Sequence, residues 1–391
     1  MADLKVLLVP TTNSGVSWYR QWTWAVAAHR TRTMFAECLW WRPDQNETAP
    51  WEVDVDEAAY RPRILGELNA KARMADVAVF DMVHTMAALN VSLALKEAYP
   101  HIPVLAQIDD NILSTPTYNP ASNCYDPGMR FRDLAVQQFR AADGIIVSTP
   151  YLKELYSDFN DNIYVVPNSL DFKVWDKVQR RKHSGIKIGW AGGASHDEDL
   201  RIVEPIIHKL LEKYSQLRFA FVHGTPHFLR NIPRVEHISK FTRVDKYPAF
   251  LASRGFDIGI APLVDNAFNR GKSNLRWLEY SGMRVPCVAS NVGHFAETIN
   301  RGKDGLLCDD EEDWIEHLSY LIENKKARKE MGNNAYLRVR ADFNTDTSVK
   351  EYEKILRQVV EKGAVNPVEQ TEYAQPIGSA EQRISNPQVV S

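Results

Sequence analysis

Cysteine and long apolar runs are scarce in this sequence of 391 residues. The cysteines are far apart and lack the paired spacing of a zinc site, so we expect reduced thiols rather than disulfides or a bound metal. No apolar run approaches the roughly 20 residues that a membrane span needs. A basic leader is also missing, because MADLKVLLVP enters a strand pattern directly. We therefore expect a cytoplasmic protein without a signal peptide.

The residues that are present have the composition of an ordinary globular protein, with 44% hydrophobic and 25% charged residues. The chain is longer than one typical core, so we expect two domains and a tail. Charge is unevenly distributed: residues 1–170 contain 14 Lys and Arg against 20 Asp and Glu, and residues 171–363 contain 32 against 27. The second half is therefore the more favourable location for a polyanionic ligand.

Short β-rich apolar runs alternate with amphipathic segments, which predicts an α/β fold with parallel sheets covered by helices. The predicted strands of the first half are Lys5–Pro10, Met34–Trp41, Val77–Phe80, Val104–Ile108, Gly144–Ser148 and Ile163–Val166. Those of the second half are Ile186–Trp190, Arg218–Val222, Ile258–Leu263, Val285–Ala289 and Gly305–Cys308. The pattern predicts two doubly wound, Rossmann-like domains in tandem.

The string VPNSLDFKVWDKVQRRKHSG separates the two sets of strands. Its Pro-Asn start, its charge and its closing glycine are typical of an interdomain linker. We predict an N-terminal domain at 1–168, a linker at 169–185, a C-terminal domain at 186–345 and a last helix at 346–363. Residues 364–391 are rich in Gln, Pro, Asn and Ser without periodicity, which predicts a disordered tail.

The most informative stretch is PLVDNAFNRGKSNLRWLEY, residues 262–280, where an apolar strand leads through a loop into a helix. The helix is predicted to open at Lys272, Ser273 and Asn274. Unpaired first-turn N–H groups and the helix dipole favour phosphate oxygens there, and Lys272 adds a positive charge. Glu279, farther along the helix, is a suitable acceptor for both hydroxyls of a ribose. An ordinary buried strand-helix unit with a serine cap explains the same residues.

This stretch, followed by SGMRVPCVAS, resembles the donor site of group 1 retaining glycosyltransferases of the GT-B fold. In that family a second Glu stands eight positions before Glu279, where this sequence has Gly271. The Pro-Asn start of the linker is similar to that family as well. The resemblance implies two Rossmann-like domains facing a central cleft, with the acceptor on the first domain and the nucleotide-sugar donor on the second. It also implies a last helix that crosses back to the first domain.

Two loops that follow predicted strands contain glycine: PTTNSGVSWYRQ, with Gly15 and Arg20, and KIGWAGGASHDEDL, with Gly192, Gly193 and His196. Glycine allows backbone angles and close approaches that other residues avoid. The resemblance implies that both loops line the donor diphosphate, that Arg20 holds an anionic part of donor or acceptor, and that His196 lies near the phosphates or the sugar. The structural alternatives are ordinary strand-to-helix turns, a solvated Arg20, and a Ser195 cap followed by acidic residues that complement the helix dipole.

Polar residues also follow two first-domain strands, His84 in VFDMVHTM and Asp109 and Asp110 in QIDDNIL. Sheets of this kind bind ligands at such strand ends. Group 1 enzymes often carry a His near this point that contacts the donor sugar, so His84 joins Lys272 and Glu279 as a catalytic candidate. Asp-Asp-Asn lacks the Asp-x-Asp spacing of the metal site in GT-A enzymes. We therefore expect the two carboxylates to contact acceptor or sugar, or to anchor their loop, without a metal.

The resemblance implies a hexosyltransferase-like enzyme that moves a sugar from a nucleotide-diphosphate donor to an acceptor, with retention of configuration and without a cofactor. In the family, residues 221–224 and 241–247 receive the nucleotide base. A GT-B nucleotide-sugar epimerase is one alternative. A non-catalytic nucleotide-sugar-binding subunit is another, and Gly271 favours it. The acceptor stays open among saccharides, lipid-linked intermediates, proteins, small metabolites and modified DNA.

Overall fold

The computed structural model describes residues 3–11, 14–39, 67–83, 85–119, 122–125, 128, 130–224, 226–240 and 242–364. His84, Phe241 and the predicted tail from residue 365 onward lie outside these described residues. The chain divides into two compact units. Unit 1 takes its described residues from Met1–Ser114, Asn123–Pro167 and Thr345–Ser391, and unit 2 takes them from Thr115–Ser122 and Asn168–Asn344.

Unit 1 is built on a parallel sheet of six strands in the order β2-β1-β3-β4-β5-β6. The strands are β1 Lys5–Val9, β2 Phe35–Cys38, β3 Val77–Asp81, β4 Val104–Ile108, β5 Gly144–Val147 and β6 Ile163–Val165. Helices cover it at Gly15–Ser17, Thr23–Thr31, 67–72, Met86–Ala98, Ser122–Tyr125, Arg130–Ala141, Pro150–Leu155 and Thr345–Lys362, with a π-helical turn at Trp18–Trp22 and a 3-10 turn at Ile112–Ser114.

The last helix completes one face of the unit 1 core. Alternate residues of β1 point to opposite sides of the sheet, and Val6 and Leu8 pack on the face that the helix Thr345–Lys362 covers. Its buried positions are Val349, Tyr352, Leu356 and Val359, a spacing that places them on one helical stripe. The Tyr352 ring meets the Trp24 ring edge-on, with ring centroids 4.9 Å apart. The helix is therefore an integral layer of unit 1.

Unit 2 repeats the architecture with strand order β12-β11-β10-β7-β8-β9, again all parallel. The strands are β7 Ile186–Gly192, β8 Leu217–His223, β9 Val235–Ile238, β10 Ile258–Ala261, β11 Cys287–Ser290 and β12 Leu306–Cys308. The helices of four or more residues are Phe172–Trp175, Asp197–Arg201, Glu204–Lys213, Tyr247–Ala252, Ala267–Arg270, Leu275–Gly282, Gly293–Thr298, Glu311–Glu323 and Lys325–Asp342, and 3-10 turns lie at Ala194–His196, His227–Leu229 and Val244–Lys246. Two six-stranded, doubly wound sheets confirm the predicted fold class.

Helix boundaries in unit 2 differ from the sequence expectation in one place. The amphipathic pattern of Asp197–Tyr214 predicts one helix there. This prediction is wrong, because the helix Asp197–Arg201 stops before a second helix begins at Glu204. Pro205 occupies the first turn of that second helix, where its missing N–H has no partner to lose, and it would break the interior of a longer helix.

Each sheet reverses its strand order beside its first strand, between β1 and β3 in unit 1 and between β7 and β10 in unit 2. Open α/β sheets bind ligands outside the carboxyl ends of the strands at such switch points. The loops that follow β7 and β10 are therefore the first place to look for a site. Within the described ranges, no helix combines the length and apolar character that a membrane crossing requires.

Candidate functional site

The two glycines at the end of β7 serve different purposes. A Cβ on Gly192 would lie 2.4 Å from the Trp190 indole, so this glycine makes room for a neighbouring ring. Gly193 is extended, and a Cβ at this position would meet no atom within 4 Å, which leaves its backbone open to a ligand. A Cβ on Gly15 in unit 1 would also meet no atom within 4 Å. The φ of Gly15 is not positive, so this glycine does not use the backbone angles that only glycine adopts easily.

Asp199 joins the loops that follow β7 and β10. Its Oδ1 accepts hydrogen bonds from the Val264 amide at 2.8 Å and from Asn269 Nδ2 at 2.7 Å. Its Oδ2 lies 2.7 Å from His196 Nδ1. The side chain is fully buried, and a buried carboxylate needs such partners. Asp199 was predicted only to complement the helix dipole. Its side chain also links the segments that follow β7 and β10 through hydrogen bonds.

His196 occupies the end of the β7 loop, with 19% of its side chain exposed. Its ring meets the Trp190 indole edge-on, with centroids 5.7 Å apart. Burial lowers the pKa of His196, the contact with Asp199 opposes this shift, and the charge of Lys272 lowers the pKa further. The imidazole is therefore neutral near neutral pH. Ser195 lies inside a 3-10 turn, and no side chain caps the helix Asp197–Arg201, so the predicted Ser195 cap is wrong.

The segment before the helix Leu275–Gly282 arranges three predicted residues differently from expectation. Lys272 is half-buried, with its Nζ 4.3 Å from the centroid of the Phe268 ring, a cation–π contact. Ser273 does not cap the helix, and its hydroxyl accepts from Asn168 Nδ2 at 2.9 Å. Asn274 holds the cap position, is fully buried and makes no side-chain cap bond.

Glu279 is paired with a cation that no sequence motif indicated. Its side chain is 3% exposed, and its Oε2 accepts from Arg276 Nη1 at 2.5 Å. Arg276 Nη1 also donates to the Tyr247 hydroxyl at 3.1 Å. The predicted contact of Glu279 with a ribose stays a prediction, and any such contact would share the carboxylate with Arg276.

Aromatic side chains gather beside this ion pair at the end of β8. His223 has a φ of 72°, a left-handed conformation that is uncommon outside glycine. Its ring is stacked on the Phe250 ring at 5.9 Å with 12° between the planes, and the Tyr247 ring lies 6.0 Å away. Burial lowers the pKa of His223, and the Arg276 charge adds to this effect. Flat, neutral groups therefore line the strand end that is predicted to receive a nucleotide base.

A residue from the first half of the sequence also belongs to this region. The segment Thr115–Ser122 is part of unit 2, and its Tyr118 hydroxyl accepts from Asn266 Nδ2 at 3.0 Å. Asn266 caps the helix Ala267–Arg270, because its Oδ1 accepts from the Asn269 amide at 2.9 Å. Burial raises the pKa of Tyr118. Residues distant in sequence thus meet at the switch point, a juxtaposition that local patterns do not reveal.

The predicted residues of unit 1 lie in a different setting. Arg20 was expected to reach an anionic ligand or to be solvated, and both settings are wrong, because the side chain is 1% exposed and its Nη1 donates to the Val166 carbonyl at 2.6 Å. Asp109 and Asp110 follow β4 and are half-buried. The carbonyl of Asp110 accepts from the Tyr156 hydroxyl at 2.7 Å. The predicted contact of the two carboxylates with acceptor or sugar, or their role as loop anchors, stays a prediction.

The switch point of unit 1 is occupied by its own polar side chains. Asp81, the last residue of β3, is buried and accepts from Ser17 Oγ at 2.8 Å, Gln21 Nε2 at 2.9 Å and Gln107 Nε2 at 2.8 Å. Burial outweighs these bonds and raises the pKa of Asp81 to about 6. Across the described ranges, no group of three or more His, Cys, Asp and Glu side chains is arranged to hold a metal ion.

Comparison with known proteins adds a family and a fold. Residues 201–354 match a family described as glycosyl transferase-like. The chain is 30% identical over 103 residues to trehalose synthase from Thermococcus litoralis, a match that covers 26% of this chain and 24% of that protein. The chain thus aligns with about a quarter of this relative's length.

Solved structures match over nearly the whole chain. Sucrose-phosphate synthase from Thermosynechococcus elongatus has a TM-score of 0.63 at 13% identity, covering 92% of this chain and 100% of that one. Anabaena HepE, solved in complex with UDP and glucose, has a TM-score of 0.60 at 13% identity, covering 90% of this chain and 99% of that one. These likenesses confirm the predicted fold class, GT-B with two Rossmann-like domains.

Proposed function

We propose that this chain is a group 1-type glycosyltransferase that transfers a sugar from a nucleoside-diphosphate sugar to an acceptor, because residues 201–354 match a glycosyl transferase-like family and the chain has the GT-B fold. One observation carries the proposal. The element from the end of β10 through Lys272 to Glu279 lies at the switch point of unit 2 and within the matched segment 201–354.

In this proposal the diphosphate binds beside Lys272 and the first-turn N–H groups of the helix Leu275–Gly282. Negative charge grows on the diphosphate as the glycosidic bond breaks, so groups that are already oriented there stabilise the transition state. Gly193 lets the backbone approach the diphosphate, because a side chain is absent where a ligand would lie. The protein's part in the reaction is thus mainly electrostatic.

The nucleoside is proposed to lie at the end of β8. The stacked rings of His223 and Phe250 offer a flat surface for a base, and Glu279 with Arg276 lies next to them for the ribose. HepE, which shares the fold, was solved with UDP, so a uridine nucleotide is the first donor to test. The acceptor is left unassigned.

Retention of configuration, independence of metal and a cytoplasmic location complete the proposal. Retention rests on the group 1 resemblance, and metal independence rests on Lys272 and the helix terminus as the source of positive charge. EDTA should leave turnover intact. Loss of turnover on chelation, restored by Mn²⁺, would contradict the metal-independent mechanism.

The test is incubation with radiolabelled UDP-, GDP- and ADP-sugars and acceptor mixtures, followed by separation of products. Label in a second compound whose anomeric configuration matches the donor, as read by NMR, is the expected result. An isomerised donor without a second product would indicate an epimerase. Tight donor binding without any conversion would indicate a non-catalytic subunit.

A further inference from the structure

The contacts of Asp199 leave little freedom for the ring of His196. Both carboxylate oxygens are engaged, one by the Val264 amide and the Asn269 side chain, which follow β10, and the other by His196 Nδ1 at 2.7 Å. The carboxylate is fully buried, so water does not compete for these bonds. The Trp190 indole packs against the ring of His196. The orientation of the imidazole is therefore determined by its surroundings.

The same contacts determine which ring nitrogen carries the proton. A carboxylate only accepts, so Nδ1 must be the N–H donor, and in a neutral imidazole Nε2 then carries a lone pair. The charged groups that act on the ring are Asp199, which raises its pKa, and Lys272 and Arg276, which lower it, while burial lowers it most. Nε2 is consequently a hydrogen-bond acceptor near neutral pH.

We propose that His196 binds a hydroxyl group of the transferred sugar through Nε2, with Asp199 as the positioning residue that holds the ring in this tautomer. The inference rests on the proposed function and narrows it. A donor diphosphate offers only acceptor oxygens at neutral pH, so a lone pair on Nε2 would repel it. Sugar hydroxyls can donate, and the loop of His196 lies at the switch point within the electrostatic reach of Lys272. The acceptor substrate also carries hydroxyls, so the experiment must separate the two.

The tautomer is tested first, without any substrate. The ¹⁵N chemical shifts of the His196 ring in wild type at pH 8 should show a protonated Nδ1 and an unprotonated Nε2. Asp199→Asn should reverse this, because its amide can present an N–H to Nδ1 and so move the ring proton to Nε2. A wild-type ring protonated on Nε2 would overturn the proposal, whatever the protein catalyses.

Binding is tested second, by calorimetry with UDP and with the UDP-sugar that wild type uses. His196→Ala should weaken the UDP-sugar about three- to tenfold, the value of one neutral hydrogen bond, and leave UDP unchanged. His208→Ala is the matched control, because His208 is exposed on the helix Glu204–Lys213. Equal weakening of UDP and UDP-sugar would place His196 at the phosphates and refute the inference while leaving the glycosyltransferase proposal intact.

Two further outcomes decide the source of the hydroxyl. Deoxy-sugar donors should lose affinity for wild type at one position and lose nothing further in His196→Ala, which identifies the hydroxyl that is bound. A raised KM for the acceptor with unchanged donor affinity would refute the donor-sugar assignment. If wild type binds neither UDP nor any nucleotide sugar, both this inference and the proposed function fail. Should Asp199→Asn not fold, the His196→Ala comparison still decides.

Discussion

The carboxylate of Asp81 should make the stability of unit 1 fall as pH rises. Its pKa is raised from 3.8 to about 6 in the folded protein, so the folded state holds a proton over a pH range in which the unfolded state has lost it. Stability then decreases with increasing pH across that window and is level above it. At 1.36 kcal/mol per pKa unit, the total change is about 3 kcal/mol.

The assay must report unit 1 alone, because the chain has two compact units and its global unfolding need not be two-state. Hydrogen exchange of β1, β3 and β4 amides, corrected for intrinsic rates and followed from pH 4 to pH 7 in mild urea, provides that report. Asp81→Asn is the control for the other titrating groups, since its amide does not ionise. The free energy of opening in wild type should fall by about 2.4 kcal/mol relative to the variant over this range, because part of the total change already lies below pH 4.

A difference between wild type and Asp81→Asn that stays constant with pH would show that burial does not raise this pKa. If the free energy of opening in wild type rises with pH relative to Asp81→Asn, the hydrogen bonds from Ser17, Gln21 and Gln107 outweigh burial. Either result would refute the reasoning, because it assigns the dominant effect to desolvation.

Three substitutions test the remaining assignments. Lys272→Ala should lower kcat more than it raises the donor Kd, because the diphosphate charge develops in the transition state, whereas Lys329→Ala on an exposed helix face should leave both unchanged. Glu279→Gln should weaken donor binding by about 1.5–3 kcal/mol without unfolding the protein, and a lowered melting temperature with normal donor affinity would show that the residue is structural. Lys96→Met should destabilise unit 1 by about 3–5 kcal/mol, because it removes the ammonium group 2.6 Å from the buried Asp143 carboxylate, whose charge then lacks an opposite charge at that distance. Adding Asp143→Asn should recover most of that loss in chemical denaturation, and no recovery would contradict the charge argument.

The strands of both sheets could be predicted because buried parallel strands appear as continuous apolar runs. The exception is β9, Val235–Ile238, which lies at the edge of its sheet and is only partly buried, so its VEHI sequence lacks such a run. The helix break before Pro205 could have been predicted from the sequence, since proline fits only the first turn of a helix. It was outweighed by the apolar periodicity on both sides.

The site was predictable where its residues follow a strand directly and not where it depends on distant partners. Lys272, Glu279 and His196 stand out because the loops after β7 and β10 are short and polar. Asp199 accepts a hydrogen bond from Asn269, 70 positions away in the sequence, and Tyr118 accepts one from Asn266, 148 positions away. Local residue spacing does not predict such contacts. Arg20 was misjudged for the same reason, because only the tertiary fold covers its guanidinium.

The path of the chain between the two units has a consequence for biosynthesis. Unit 1 begins at the N-terminus, yet its last helical layer, Thr345–Lys362, is made after about 180 residues of unit 2. At about 5–20 residues per second, the ribosome needs roughly 10–40 s to span that interval. During this time Trp24 and the face of β1 that carries Val6 and Leu8 lack the helix that covers them in the folded protein. All the described strands and helices of unit 2 are thus synthesised before the last helix of unit 1, and the unit whose synthesis begins first is completed last.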